Sequence, residues 1–188
     1  MLDFAAIRDG SRTFDDLARE LRPDALHDLT DEMIDLVLNI TAPATDADLQ
    51  FEPVDALAPT NEDGSVARGW TLAHVVTHMT AGSEETAAIA ATLARGVPVE
   101  GRSRYEVPWD MLQTVVQLRE RIEESRRIRH ALLTAWPDQP HLELRFKLAQ
   151  RFDPLNAPAC FILGLFHEDG HLEQLREVLR QALAARGA

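Results

Sequence analysis

The sequence predicts an all-α protein, a four-helix bundle with one short extra helix and long irregular links. Apolar residues recur at helical spacing in four long stretches, prolines and glycines separate these stretches, and the alternation typical of strands is rare. The chain has 188 residues, of which 45% are apolar and 27% are charged, as in an ordinary globular protein. Because this length suits one core, we expect a single domain over residues 1–188.

The N-terminal third of the chain predicts a short helix followed by a long one. The short helix covers about residues 13–21, and the long helix covers about 24–40. Pro23 suits the start of the long helix, whose apolar residues recur every three or four positions. Residues 41–68 contain three prolines and an Asn-Glu-Asp-Gly turn sequence, so we predict a long irregular connection there.

Two more long helices are predicted in the middle of the chain. One starts after Thr71, a residue type that caps helix starts, and ends near Arg95, before Gly96 and Pro98. The other covers about residues 108–135 and stops at a Trp-Pro pair.

The last long helix covers about residues 159–185 and follows a proline-containing link. Within that link, apolar and charged residues alternate over 142–146, so a short strand is an alternative there. Four stretches with amphipathic faces indicate a bundle, and bundles build metal sites from side chains on facing helices.

Charge and composition argue against several classes of partner. Lys and Arg number 19 and Asp and Glu number 31, a net charge of −12 that disfavours nucleic acid. The arginines of residues 119–129 alternate with glutamates, which indicates a solvated helix face. No apolar run reaches ~18 residues and no secretory signal is evident, so we expect no membrane contact. Cys160 is the only cysteine, which fits a cytoplasmic protein with a buried structural thiol.

Two histidines near the C-terminus have the spacing of a metal-ligand pair. His167 and His171 are four residues apart, so they project from one helix face, one turn apart. Neutral imidazole is the commonest side chain for binding zinc, nickel or iron. A third histidine from another helix would give three protein ligands and leave positions open for water or substrate, as in reactive metal sites.

The second long helix offers His74 and His78 as the third ligand. At ~100° per residue, His78 falls at the edge of the apolar stripe and His74 lies roughly 40° further out. We therefore predict that His78 binds the metal and that His74 is its neighbour or a surface residue. Gly164, one turn before His167, would either leave room over an ion or allow a close helix contact, and the sequence favours neither.

These residues resemble those of the DinB/YfiT-like metal-dependent bundle proteins. The stretch from Trp70 to His78 matches the W-[ST]-x₆-H element of that family, and the run from His167 to Gln174 matches its H-x₃-H-x₂-Q element. The resemblance covers essentially the whole chain. It implies that His78, His167 and His171 bind a divalent ion, zinc or nickel first, with iron or manganese as alternatives. It also suggests a homodimer.

Related branches of this family use a low-molecular-weight thiol. The resemblance therefore implies a thiol-dependent, bacillithiol-type S-transferase that acts on a small-molecule electrophile. A metal held by three neutral histidines would lower the pKa of a bound thiol by stabilising the thiolate. Glu168 and His74 are candidate catalytic residues that would orient groups or carry a proton, with a supporting or surface role as the alternative.

Two other functions stay open at this point. His167 to His171 satisfies the H-E-x-x-H pattern, in which the glutamate is the general base of a metallohydrolase. The Asp-Gly pair inside the pattern and the lack of an upstream sheet argue against a protease. The bundle could instead be a non-catalytic metal-binding module.

Overall fold

The fold is helical, as the sequence predicts. The computed structural model describes residues 2–21, 24–54, 69–150 and 152–187. Within these ranges it contains no strand; where a short strand was the alternative, only Phe146 and Leu155 form an isolated antiparallel bridge. The helices are α1 (Ala5–Arg8), α2 (Phe14–Glu20), α3 (Ala25–Thr41), α4 (Leu72–Ala94), α5 (Val115–Thr134) and α6 (Ala157–Arg186), with short 3₁₀ helices at Asp46–Gln50 and Trp109–Met111.

The four long helices α3 to α6 form the predicted bundle. α6 packs along α4 and also contacts α2 and α3, while α5 closes the bundle against α3 and α4. α4 is therefore enclosed on nearly every side, and most of its residues are buried. None of the described helices is both long enough and apolar enough to cross a membrane.

Most of the α-helices begin after a threonine or asparagine whose side chain caps the helix. Thr71 accepts a hydrogen bond from the backbone nitrogen of His74 (3.2 Å) and fixes the start of α4. α5 begins seven residues later than the predicted Pro108, at Val115, which corrects that boundary. The reason is a capping box between Thr114 and Gln117, preceded by the 3₁₀ helix, which makes the helix start locally stable at this point.

Small residues bring α4 and α6 close together. A Cβ atom on residue 164 would collide with Thr86 and lie 3.1 Å from the Cα atom of Ser83. Ser83 also donates its hydroxyl to the carbonyl oxygen of Gly164 at 3.0 Å. Of the two sequence interpretations of Gly164, the structure supports the close helix contact.

The arginine-rich stretch of α5 is only partly the solvated face that the sequence predicts. Arg126 is partly exposed and links α5 to Asp31 and Asp35 on α3, with Nη1 2.7 Å from Asp31. Arg129, in contrast, is 1% exposed and lies inside the bundle. A fully buried arginine requires a partner of opposite charge, which α6 supplies.

Cys160 lies in the core on α6, and its thiol is expected to be unreactive in the folded protein. Burial raises the pKa of the Cys160 thiol to about 12, and the neighbouring Asp15 carboxylate adds to the rise. At pH 8 only about one molecule in ten thousand would carry the thiolate, the reactive form. Titration with a chromophoric disulfide should therefore label Cys160 only after denaturant is added. Rapid labelling of the native protein would contradict this placement.

Candidate metal centre

Three imidazoles from α4 and α6 converge at one point. His78 projects from α4, and His167 and His171 project from α6; one ligand nitrogen from each lies within 4.8 Å of the other two. The Nε2 atoms of His78 and His167 are 3.2 Å apart. Two nitrogens bound at 2.0–2.1 Å to one tetrahedral ion would be separated by about 3.3 Å. His78 and His167 therefore have the separation that one zinc-like ion requires, and His171 lies close enough to be a third ligand.

Gln174 fixes the orientation of His171. The Nδ1 atom of His171 lies 2.8 Å from the side-chain oxygen Oε1 of Gln174. Because that oxygen only accepts, the imidazole proton sits on Nδ1 and Nε2 keeps its lone pair for a metal. Such a contact on the other ring nitrogen typically holds a metal-binding histidine in place.

His78 has two competing partners on the segment after α4. Its Nδ1 atom lies 3.0 Å from Nη2 of Arg104 and 3.4 Å from Oε2 of Glu106. A guanidinium only donates, so the contact with Arg104 needs a bare Nδ1 and puts the proton of a neutral ring on Nε2. The contact with Glu106 needs the proton on Nδ1 and frees Nε2. Only the second tautomer lets neutral His78 bind an ion through Nε2.

The surroundings of His78 keep its ring neutral. Burial lowers the pKa of His78 to about 4, and the positive charge of Arg104 adds to the effect. A neutral ring has a lone pair to offer near pH 7, whereas an imidazolium has none. The surroundings therefore keep His78 in the neutral form that can bind a metal ion.

Gly82 makes room for the ring of His167. A Cβ atom on residue 82 would lie 2.6 Å from both Cε1 and Nδ1 of His167, closer than carbon atoms can approach. Gly82 is one turn after His78 on α4, so the ring of His167 lies against bare backbone there. A glycine inside an otherwise regular helix is the sequence signal that could have revealed this contact.

His74 lies beside the centre in a stack of aromatic rings. Its ring is 4.4 Å from that of Trp70 on one side and 5.6 Å from that of Trp109 on the other. Trp70 also contacts His78 and His171, at 4.6 Å and 6.0 Å between ring centroids. The structure thus brings the three predicted ligands together and places His74 next to them, in contact with Trp70.

Glu168 turns away from the three histidines and into the bundle. Its Oε2 atom accepts a hydrogen bond from Nη1 of Arg129 at 2.8 Å, and both side chains are 1% exposed. Burial raises the pKa of the Glu168 carboxyl, and Arg129 opposes that rise. The contact between Glu168 and Arg129 thus links α6 to α5 at the residue next to His167. A role of Glu168 in proton transfer stays a prediction.

A cavity of about 350 Å³ opens next to the ligands. His167 and His171 line it, and the rest of its wall comes from α4, α6 and the two links that flank α5. Its volume is that of a small-molecule pocket. A molecule in this cavity could reach an ion held by the histidines.

Gly82→Ala is expected to weaken metal binding without unfolding the protein. The new methyl group forces the ring of His167 to rotate, and displacement of a ligand's surroundings typically costs about 10- to 100-fold in metal affinity. Competition with a chromogenic chelator measures the affinity, and thermal unfolding followed by circular dichroism checks the fold. The control is Gly170→Ala, since a Cβ atom there meets nothing within 4 Å. Equal affinity in Gly82→Ala and the parent would contradict the packing described above.

The buried pair of Arg129 and Glu168 is expected to behave as one unit in unfolding. Arg129→Met or Glu168→Met alone leaves one buried charge without its partner and should lower the free energy of unfolding by about 3–5 kcal/mol. The double variant removes both charges and should lose much less than the sum of the two. Denaturant unfolding of all four proteins measures these energies. Additive losses would show that the two side chains do not depend on each other.

Comparison with known proteins agrees with the resemblance seen in the sequence. A family model described as the DinB superfamily matches residues 29–175, which include α4, α5 and all three histidines. No curated protein and no solved structure matches the chain. The family match covers well over half of the sequence, so this chain belongs to the DinB superfamily.

Proposed function

We propose that this protein is a metal-dependent enzyme that transfers a low-molecular-weight thiol to a small electrophile. The observation that carries the proposal is the convergence of His78, His167 and His171, two of which, His167 and His171, line a cavity of small-molecule size. Three protein ligands leave positions open, as reactive sites require and closed structural sites do not. Zinc and nickel are among the metals that suit an all-imidazole ligand set.

The reaction is a substitution at an electrophilic carbon. The S–H bond of the thiol and the bond from carbon to the leaving group break, a C–S bond forms, and the thiol proton ends on the leaving group. A divalent ion in the site supplies positive charge that lowers the pKa of a thiol at its open positions. The protein supplies the fixed direction of the three imidazoles, so little rearrangement is needed when the reactants bind.

Side chains around the ligands have supporting roles in this proposal. Gln174 accepts the Nδ1 proton of His171. When an ion binds, Glu106 would take the Nδ1 proton of His78 in place of the contact with Arg104, so that both Nε2 atoms face the ion. His74 is the candidate proton carrier, because its Nε2 atom lies 3.9 Å from Oε1 of Glu106.

The metallohydrolase alternative is not favoured by the placement of Glu168. The H-E-x-x-H mechanism needs the glutamate at the metal-bound water. Here the carboxylate is 1% exposed and is bound to Arg129 inside the bundle, away from the three histidines. Cleavage of a peptide substrate would contradict this assignment. A metal-binding bundle without catalytic activity is the other alternative, and the rate of thiol consumption tests it.

Each single variant His78→Ala, His167→Ala and His171→Ala is expected to lose most of its metal and its activity, because two imidazoles hold an ion far less tightly than three. His74→Ala should keep its metal. Elemental analysis of the purified proteins gives the stoichiometry. The activity is the rate at which cysteine and larger cysteine-containing thiols consume a panel of alkyl halides and epoxides.

His141→Ala is the matched control, since this histidine is exposed and outside the site. Full metal content in His78→Ala together with loss in His74→Ala would reverse the ligand assignment. Normal metal binding without faster thiol consumption across the panel would refute the transferase and leave a binding module. Equal rates in metal-depleted and metal-loaded protein would refute the role of the ion.

A further inference from the structure

Two arginines line the cavity beside the histidines, although the protein as a whole is acidic. The chain carries a net charge of −12. The ionised side chains that line the cavity, apart from its histidines, are two arginines and one acid, Arg102, Arg104 and Glu85. An ion bound by His167 and His171 would add further positive charge. Arg104 is already paired with Glu106 at 2.8 Å, so Arg102 is the cation at this cavity that could meet an anion.

Glu85 holds Arg102 in a fixed orientation at the cavity wall. Glu85 is buried, with a side chain that is 2% exposed, whereas the side chain of Arg102 is 47% exposed. Arg102 donates Nε to Oε1 at 2.9 Å and Nη2 to Oε2 at 2.6 Å. This two-point contact uses one edge of the guanidinium and leaves Nη1 for another acceptor. The carboxylate of Glu85 thus holds the guanidinium of Arg102 in place, and Nη1 of Arg102 stays accessible to a ligand.

The wall of the cavity also has an apolar part. Phe152 and Leu148 contribute to it from the link before α6, and Phe166 and Leu163 contribute from α6 itself. Aromatic and aliphatic walls with a few placed polar groups are typical of sites for small organic molecules. One cavity therefore combines a guanidinium, an apolar surface and two of the three imidazoles.

We propose that this cavity binds an amphipathic organic carboxylate, with its carboxylate on Nη1 of Arg102 and its apolar body against Phe152 and Phe166. The reactive end of the ligand then points to the three histidines. This inference names the substrate class and rests on the proposed function for the direction of the ligand. Binding of the carboxylate itself requires Arg102 and the apolar wall, and it does not require the ion.

The test compares two probes that differ in charge and little in shape, 3-phenylpropionate and 3-phenylpropan-1-ol. Calorimetric titration of metal-free and zinc-loaded protein gives the affinity for each probe. The metal-free protein should bind the carboxylate more tightly than the alcohol. A double variant, Arg102→Gln with Glu85→Gln, removes the guanidinium without leaving a lone buried carboxylate. It should bind the carboxylate about tenfold more weakly, as expected for a lost charged hydrogen bond, and the alcohol as before.

Two further variants separate a ligand contact from a structural effect. Arg102→Lys keeps the charge and should retain part of the preference for the carboxylate. Arg180→Gln removes an exposed arginine that is also paired with a glutamate, Glu177, and should change neither affinity. Thermal unfolding of each variant checks that the fold is retained.

The outcomes distinguish this inference from the proposed function. Equal binding of both probes by the metal-free parent, or an unchanged carboxylate affinity in the double variant, would overturn the anion site even if thiol transfer is found. Carboxylate binding that appears only with zinc and does not depend on Arg102 would also overturn it. A preference that depends on Arg102, found together with no thiol turnover, would support the anion site and refute the transferase.

Discussion

The close contact between α4 and α6 is the constraint on which the site depends. Gly164 removes the side chain that would hold the helices apart, and Gly82 removes the one that would displace the ring of His167. The same approach brings Nε2 of His78 to 3.2 Å from Nε2 of His167. The packing of α4 against α6 therefore also sets the separation of His78 and His167. A change in the distance between the two helices would change the distance between these ligands.

The rotation of α6 about its axis is fixed from its other side. His167 faces the cavity, while Glu168, about 100° further around the helix, meets Arg129 inside the bundle. Rotating α6 enough to withdraw the histidines would break this buried ion pair, which is costly because a single charge would be left without water or partner. A pair that adds little net stability can in this way still specify one orientation of the helix. Because His167 precedes Glu168 in the sequence, the ion pair of Glu168 also keeps His167 directed to the metal site.

The sequence predicted the fold and the convergence of His78 with the histidines of α6, because helical spacing and caps such as Thr71 are local signals. It could not reveal contacts that depend on how segments meet in space. Glu106 and Arg102 belong to an irregular segment, where no periodicity indicates the direction of a side chain. Arg129 has the same sequence surroundings as its exposed neighbours, and only the position of α6 shows that it is buried.

We propose that three imidazoles and no other protein side chain bind one divalent ion. X-ray absorption at the zinc edge of the zinc-loaded protein tests it most directly, because scattering by imidazole rings can be counted. We expect three imidazole nitrogens at about 2.0–2.1 Å, one or more additional oxygen ligands from water, and no sulfur. A spectrum with two or fewer imidazoles, or with sulfur bound to the ion in the absence of added thiol, would contradict it.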